Sequence, residues 1–196
     1  MCGRYALHAN PEVIALQFGL DTVPELAPRY NIAPATEVLI VRDGKASLAH
    51  WELRRKFANL RAETLAQKFP GPYRDGRALV PASGFYEWQS TAGRKQPYYF
   101  FSKQEPLLGL AAIWENDSFS LITTEPNAAL RNIHDRMPVI IARDDYAAWL
   151  AGEDGLLRPA PDDALKVHAV GVAVNRAAND SPQLIQPVEL ARGLFD

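Results

Sequence analysis

The only cysteine of this chain lies at position 2, directly after the initiator methionine. Because cysteine is small, we expect Met1 to be removed, which leaves Cys2 with a free α-amine beside its thiol. The amine titrates near ~8 and the thiol near ~8.5, so both have unprotonated fractions at neutral pH. An amine condenses with an aldehyde to a Schiff base, and the thiolate can then close a five-membered thiazolidine ring. Cys2 therefore predicts capture of an aldehyde; the alternative is a small apolar side chain that happens to occupy position 2.

An acidic residue, Glu87, lies within an aromatic segment at residues 84–88. On a strand, Glu87 would share a face with Phe85 and alternate with Tyr86 and Trp88. A carboxylate beside aromatic rings is expected to have a raised pKa, which suits general acid–base catalysis. The alternative is a glutamate on an edge strand that points to water.

Three polar residues, His134, Asp135 and Arg136, follow one another directly before an apolar segment. Histidine is the side chain best suited to move protons near neutral pH. Asp135 could fix its tautomer, and Arg136 could bind a phosphate with both arms of its guanidinium. The alternative is a polar loop that leads into a strand.

Two further segments carry weaker signals. Asn59 and Arg61 are two residues apart, so a strand would direct both to one face, whereas the start of a helix would separate them. The composition favours the start of a surface helix. Residues 29–34 form a polar and aromatic loop that could stack on a base or simply pack against the protein.

Composition restricts the function classes. The chain has 196 residues, 47% of them hydrophobic and 22% charged, as expected for one globular domain with a sizeable core. A lone cysteine excludes an intramolecular disulfide and a cysteine-based zinc site, and the four histidines are scattered, so we expect no metal and no other cofactor. No secretory signal or membrane span is recognisable, so we expect a cytoplasmic protein that does not enter a membrane. With a net charge of −2, binding to a nucleic acid would require a local basic patch.

The pattern of elements predicts an α+β fold. Asn10, Pro11 and Gly19 bound a helix, and residues 37–51 form a hairpin with its turn at 42–45. Residues 20–36 are predicted to be an extended surface connection. Further strands are expected at 78–80, 84–89, 97–102, 108–114, 118–124 and 166–174, and helices at 61–68 and 144–150. We expect one β-rich domain over residues 1–196, with mixed and antiparallel sheets forming a barrel-like core and short flanking helices.

Taken together, the segments resemble a known family. The resemblance rests on six blocks in the family's order: CGRY at 2–5, RYNIAPAT at 29–36, NLRAET at 59–64, LVPASGFYEW at 79–88, IHDRMPVI at 133–140 and LIQPV at 184–188. The chain is identified on these blocks as a member of the SRAP-domain family of abasic-site processing proteins. The blocks span nearly the whole chain, which makes the resemblance far more specific than any one motif.

The resemblance implies a protein that binds single-stranded DNA at abasic sites and forms a thiazolidine crosslink with the aldehyde of the ring-opened sugar. It also implies removal of Met1 by the protein itself. By motif position, Cys2 supplies sulfur and α-amine, and Asn59 holds the backbone or amine of this cysteine. Glu87 acts on the sugar hydroxyl or the Schiff-base protons. His134 assists ring opening and proton transfer, including reversal of the crosslink.

The same resemblance implies which residues bind DNA. Arg4, Arg61 and Arg136 would bind the phosphates that flank the lesion, which compensates for the negative net charge. Asn31, Pro34 and Trp51 would belong to the same DNA-binding surface. The expected partner is single-stranded DNA with abasic sites, the expected state a monomer, and the expected location the cytoplasm, on the nucleoid if the protein is bacterial.

One segment departs from the family's pattern. Relatives carry a longer loop with proline and tryptophan after the strand that ends at Trp51, and this loop wedges against bases beside the lesion. Here residues 52–58 lead directly to Asn59. We expect Phe57 to stack in place of the lost wedge, with Arg54, Arg55 and Lys56 compensating for the lost contacts by their charge.

Two other functions are compatible with the same residues. In one, the protein is an N-terminal-nucleophile amidase or peptidase, in which Cys2 attacks a carbonyl and Asn59 helps to form an oxyanion site. In the other, the protein binds single strands without forming a crosslink, because the shortened loop has abolished the chemistry.

Overall fold

The computed structural model describes residues 2–91 and 94–190. Four short helices lie among thirteen strands in this part of the chain. The helices are α1 Pro11–Phe18, α2 Ala62–Lys68, α3 Pro70–Asp75 and α4 Tyr146–Leu150. The strands are β1 Tyr5–Leu7, β2 Arg29–Ile32, β3 Glu37–Arg42, β4 Lys45–Trp51, β5 Asn59–Arg61, β6 Arg77–Ala82, β7 Gly84–Thr91, β8 Arg94–Ser102, β9 Leu108–Glu115, β10 Ser118–Thr124, β11 Met137–Pro138, β12 Ile140–Ile141 and β13 Leu165–Ala169. Single 3-10 turns occur at Arg143–Asp145, Val172–Asn175 and Pro182–Ile185.

Five strands close into a barrel, in the order β10, β4, β3, β6 and β9, with β9 pairing back onto β10. All pairs of this ring are antiparallel except β4 with β10, which is parallel. Apolar side chains of the ring strands, including Leu39, Trp51 and Phe119, are nearly or fully buried. Closure satisfies the backbone hydrogen bonds of the ring strands on both edges and leaves a small packed interior. The barrel-like α+β fold is thereby confirmed.

A second, antiparallel sheet has the strand order β13, β8, β7, β1 and β2. Strand β1 pairs with β7 through Tyr5 opposite Phe85 and Ala6 opposite Gly84, and the amide of Tyr86 donates to the carbonyl of Arg4 at 3.0 Å. This pairing fixes the beginning of the chain against the strand that carries the aromatic segment.

The local signals in the sequence account for the first elements. The side chain of Asn10 accepts from the amide of Val13 at 3.0 Å and caps α1, which ends at Gly19 in the left-handed conformation, with φ 64°. Asp43 and Gly44 both have positive φ, 51° and 68°, as the tight two-residue turn of the β3–β4 hairpin requires. Both predicted elements are confirmed.

Three sequence expectations are wrong in part. The connection at 20–36 contains strand β2, because Arg29–Ile32 pairs with β1. The segment 59–61 is a strand that pairs in parallel with β10, and the helix begins only at Ala62. The late strand ends at Ala169, and Val172–Asn175 turns into a 3-10 helix. Within the described residues, no helix is long and apolar enough to cross a membrane.

We expect Gly84→Ala to destabilise the fold by about 1–3 kcal/mol, because a Cβ has no space there. It would lie 2.5 Å from the carbonyl oxygen of Phe100 and 2.4 Å from the ring of Tyr99, and a backbone oxygen of a paired strand cannot move aside cheaply. Urea unfolding of both proteins measures the difference. A Cβ at Gly155 meets nothing within 4 Å, so Gly155→Ala should stay within about 0.5 kcal/mol. Equal effects at the two glycines would contradict the close approach of β7 and β8.

Candidate functional site

Cys2 lies just before β1 and is fully buried. Burial raises the pKa of its thiol far above the usual range, and the negative charge of Glu87 raises it further. The antiparallel pairing of Tyr5 with Phe85 brings the residues that precede Tyr5 alongside Tyr86 and Glu87. At neutral pH the sulfur is therefore a neutral thiol, which needs a base to accept its proton before or during attack.

Glu87 lies in β7 with only 1% of its surface exposed, so the alternative of an edge-strand glutamate that points to water is wrong. Burial raises the pKa of its carboxyl group to about 7. The Oε1 atom is buried and has no hydrogen-bond partner among the described residues. At neutral pH this carboxyl group can therefore both donate and accept a proton.

The imidazole of His134 faces this carboxyl group, with Nε2 3.8 Å from Oε2 of Glu87. The amide of Arg136 donates to Nδ1 at 3.0 Å, which leaves the proton of the neutral ring on Nε2. Nδ1 also lies 3.1 Å from the carbonyl oxygen of Arg136 and 3.2 Å from Asp135, so the protonated ring has acceptors. Burial lowers the pKa of His134, which favours the neutral ring. Glu87 and His134 thus form a neighbouring pair of groups that can each bind a proton, at a separation slightly longer than a hydrogen bond.

Asn59 begins strand β5, so the helix start that the composition favoured for this segment is wrong. Pairing with β10 aligns Asn59 with Leu121 and Arg61 with Thr123. The alternation of the strand directs Asn59 and Arg61 to one face, while Leu60 packs into the core. The side-chain oxygen of Asn59 is buried without a hydrogen-bond partner in the described part of the chain, and Arg61 is exposed.

Arg4 lies half-buried beside the pair and is held by a polar network. Its Nη1 donates to the side chain of Asn31 at 2.7 Å and to the carbonyl of Val174 at 2.9 Å. Asn31 is itself buried, and its amide donates to the carbonyls of Val174, Arg176 and Asn179. Asn31 therefore orients Arg4 and is closed to direct contact with a ligand.

Three other expected DNA contacts are differently placed. Trp51 is fully buried in the barrel, where its Nε1 donates to the carbonyl of Ala58 at 2.8 Å. The structure corrects the expectation for Trp51, because an indole that fills the core offers no surface to DNA. Pro34 is half-buried just after β2, and the guanidinium of Arg136 is bound to Glu63 and Thr123.

The short loop at 52–58 is folded against the barrel. Phe57 is half-buried and meets the ring of Phe69 edge-on at 5.3 Å. Arg54 donates two hydrogen bonds to Glu115, and Arg55 donates one to Asp117. Lys56 lies over the ring of Phe57 at 5.4 Å, so the aromatic ring and all three charges expected to replace the lost wedge already have partners within the protein.

An open cleft of about 430 Å³ adjoins the pair. Its lining is Arg4, Glu87, Trp88, Ser90, Lys95, His134 and Asn175. The sequence did not reveal the outer wall as part of a site, although Ser90 and Lys95 are direct partners in the β7–β8 hairpin, a register that hairpin analysis could have supplied. Asn175 carries no signal in the sequence; it accepts a hydrogen bond from Nε1 of Trp88 at 2.7 Å and fixes that ring. Among the described residues, no three acidic, histidine or cysteine side chains are grouped as metal ligands would be.

Comparison with known proteins decides the family. The model of the family "SOS response associated peptidase (SRAP)" matches residues 1–177. The chain belongs to the SRAP family. Among SRAP relatives, abasic site processing protein YoqW of Bacillus subtilis is 32% identical over 95% of this chain and 99% of its own. Abasic site processing protein YedK of Escherichia coli is 28% identical over 96% and 100%.

Solved structures share the fold. A crystal structure of a protein from Bacteroides thetaiotaomicron has a TM-score of 0.87 at 23% identity, with 96% of this chain and all of that chain covered. A second, from Bordetella bronchiseptica, has a TM-score of 0.78 at 21% identity, with 87% of this chain and all of that chain covered. At these identities the likeness shows the SRAP fold alone.

We expect Glu87→Gln to raise the free energy of unfolding, relative to the wild type, more at pH 8 than at pH 4. The folded carboxyl group, with a pKa near 7, binds its proton more tightly than the unfolded one, at about 4.5. Its contribution to stability is therefore full below pH 4.5 and is lost as the pH rises through 7. Glutamine removes this loss, so its advantage over the wild type should grow by on the order of 3 kcal/mol between these pH values.

Denaturant unfolding at pH 4, 6 and 8 measures this difference. Glu125 is exposed, so Glu125→Gln serves as the matched control, with a difference that should not vary with pH in this way. A flat pH dependence for Glu87→Gln would mean that the carboxyl group is not held protonated by burial.

Proposed function

We propose that this protein processes abasic sites in single-stranded DNA by capturing the lesion's aldehyde on Cys2 after removal of Met1. The observation that carries the proposal is the pairing of β1 with β7, which brings the chain start at Cys2 alongside the strand segment of the buried Glu87, with His134 3.8 Å from that carboxyl group. The names of the relatives YoqW and YedK, both abasic site processing proteins, support it.

The first step forms a carbon–nitrogen bond. The unprotonated α-amine of Cys2 attacks the aldehyde carbon, and the carbonyl oxygen takes a proton to give a carbinolamine. Loss of this hydroxyl as water requires a general acid, which the protonated carboxyl group of Glu87 supplies. His134 passes protons to and from Glu87 and assists opening of the sugar ring. The buried oxygen of Asn59, an acceptor without a partner in the described residues, receives a hydrogen bond from the amine and orients it.

The second step forms a carbon–sulfur bond. The Cys2 sulfur adds to the carbon of the protonated Schiff base, its thiol proton passes to Glu87, and the nitrogen becomes the amine of a thiazolidine. One water molecule is released over both steps. The neutral, buried thiol suits this order, because an iminium carbon is a far stronger electrophile than an amide carbonyl.

DNA binding is proposed for the cationic residues around the cleft. Arg4 is half-buried and lines the cleft together with the exposed Lys95, and Arg61 is exposed on the strand that carries Asn59. Pro34 lies half-buried after β2 and is proposed to contact the DNA bases. We further propose that the protein acts as a monomer in the cytoplasm and that it removes Met1 itself.

We expect the wild-type protein, confirmed by mass to begin at Cys2, to give a shifted band with an abasic single-stranded oligonucleotide on a denaturing gel. Cys2→Ser keeps the α-amine and loses the thiol, so it should give a band only when cyanoborohydride reduces the Schiff base. A protein with an uncleaved residue before Cys2 should give no band under either condition. A stable band from Cys2→Ser without reductant, or none from the wild type, would contradict the proposal.

We expect Lys95→Ala to weaken binding to a single strand that carries a tetrahydrofuran abasic analogue by about 3- to 10-fold at low salt. The loss of one phosphate contact should also lower the slope of log Kd against log salt by about 0.7. Fluorescence anisotropy over a salt series measures both. Lys166 is exposed on β13, about 20 Å along β8 from Lys95, so Lys166→Ala is the matched control. Equal losses of affinity for both variants would mean that the DNA is attracted by the overall charge of the protein and does not bind along the cleft.

A further inference from the structure

The guanidinium of Arg136 is almost fully occupied by contacts within the protein. Its Nη1 donates to Oε1 of Glu63 at 2.6 Å, and its Nη2 donates to Oε2 of Glu63 at 3.0 Å and to the carbonyl of Thr123 at 2.6 Å. Nε is buried and has no partner in the described part of the chain. Of the five N–H groups of a guanidinium, only one on Nη1 remains for an outside ligand. A phosphate could accept two parallel hydrogen bonds from this guanidinium only by displacing Glu63.

The backbone of Arg136 holds the catalytic histidine. Its amide donates to Nδ1 of His134 at 3.0 Å, and its carbonyl oxygen lies 3.1 Å from the same atom. Any displacement of Arg136 therefore moves or releases the imidazole. The side chain and the backbone of one residue thus connect two different parts of the site.

The partners of the guanidinium belong to the other side of the site. Glu63 lies in the first turn of α2, directly after the strand that carries Asn59. Thr123 lies in β10 opposite Arg61 on one edge and Pro138 on the other. The Glu63–Arg136 pair therefore spans β10 and ties the segment of Asn59 to the segment of His134.

We propose that Glu63, acting through Arg136, is a positioning residue that holds the His134 imidazole against Glu87. This inference rests on the proposed function and deepens it. Two parallel hydrogen bonds between a guanidinium and a carboxylate fix both angle and distance, which one contact cannot do. The Glu63 side chain is 52% exposed, so the pair contributes little to stability, and its consequence is the geometry of the site.

The decisive experiment compares Glu63→Gln with Glu115→Gln. Glu115 also receives two hydrogen bonds from one arginine, Arg54, at 2.6 and 2.9 Å, but belongs to the loop 52–58 side of the barrel. Two quantities are measured for each protein. The first is the single-turnover rate of crosslink formation with saturating abasic single strand, from pH 5.5 to 8.5. The second is the Kd for a strand with a tetrahydrofuran analogue, which has no aldehyde.

We expect Glu63→Gln to lower the saturating rate about 10- to 100-fold, as expected for a misplaced catalytic group, and to alter its pH profile. Its Kd should stay within about twofold of the wild type, because no DNA contact is lost. Glu115→Gln should leave the rate and its pH profile unchanged. A tighter Kd with an unchanged rate would overturn the proposal in favour of Glu63 as a carboxylate that merely competes with phosphate. An unchanged rate and Kd would also overturn it.

Two further variants keep the result interpretable. Glu63→Asp keeps a carboxylate that can still meet the guanidinium, so it should restore part of the rate. Arg136→Lys keeps the positive charge but loses the two parallel hydrogen bonds to Glu63, so it should lower the rate as Glu63→Gln does. If Arg136→Lys weakened only the Kd, Arg136 would be a phosphate contact and the proposal would be overturned.

A readout without DNA separates this proposal from the proposed function. In the free protein, burial holds the pKa of His134 below its usual range. Once released, the ring should be more hydrated, so NMR titration of its carbon-bound protons should show a pKa closer to ~6.5 in Glu63→Gln. Glu115→Gln should titrate like the wild type. If the wild type formed no crosslink, the proposed function would be wrong, but the His134 titration would still test the positioning role. An unshifted His134 titration in Glu63→Gln would overturn the positioning role and leave the proposed function untouched.

Discussion

The site depends on one strand whose two edges are each shared between two neighbours. Along one edge, β10 pairs first with β9 and then with β11; along the other, it pairs first with β4 and then with β5. The first half of the strand therefore closes the barrel. The second half brings Asn59 and the segment after His134 to opposite sides of Thr123. Without this shared strand, residues distant in the sequence would have no common frame.

Burial sets the charge state of the three groups around which the chemistry is proposed. It raises the pKa of the Cys2 thiol and of the Glu87 carboxyl group, and it lowers that of the His134 imidazole. Each change favours the neutral form, because a charge is poorly solvated away from water. At neutral pH the thiol is thus neutral and the carboxyl group is only partly ionised, while Arg4 and Lys95 supply positive charge along the cleft. Protons can then move between groups without a large electrostatic penalty.

Local patterns in the sequence predicted the elements whose hydrogen bonds are local. The cap at Asn10 and the turn at Asp43 and Gly44 are of this kind, and the aromatic segment around Glu87 correctly predicted a raised pKa of its carboxyl group. The strand at Asn59 was missed because three residues carry almost no periodicity and their partner lies about 60 residues away. The burial of Trp51 and the hydrogen bonds between the Arg136 guanidinium and Glu63 depend on neighbours from distant segments, which residue types and spacing do not reveal.

The parallel pairing of β5 with β10 has a consequence for the order of folding. The two strands are about 60 residues apart, and a parallel pair can form only after the whole connection between them exists. On a ribosome, the barrel therefore cannot close before the chain has been made beyond residue 124. Loop-closure entropy makes such distant contacts late ones even in a complete chain. Asn59 is synthesised well before β10, yet the strand pairing that holds Asn59 in place is among the last contacts to form.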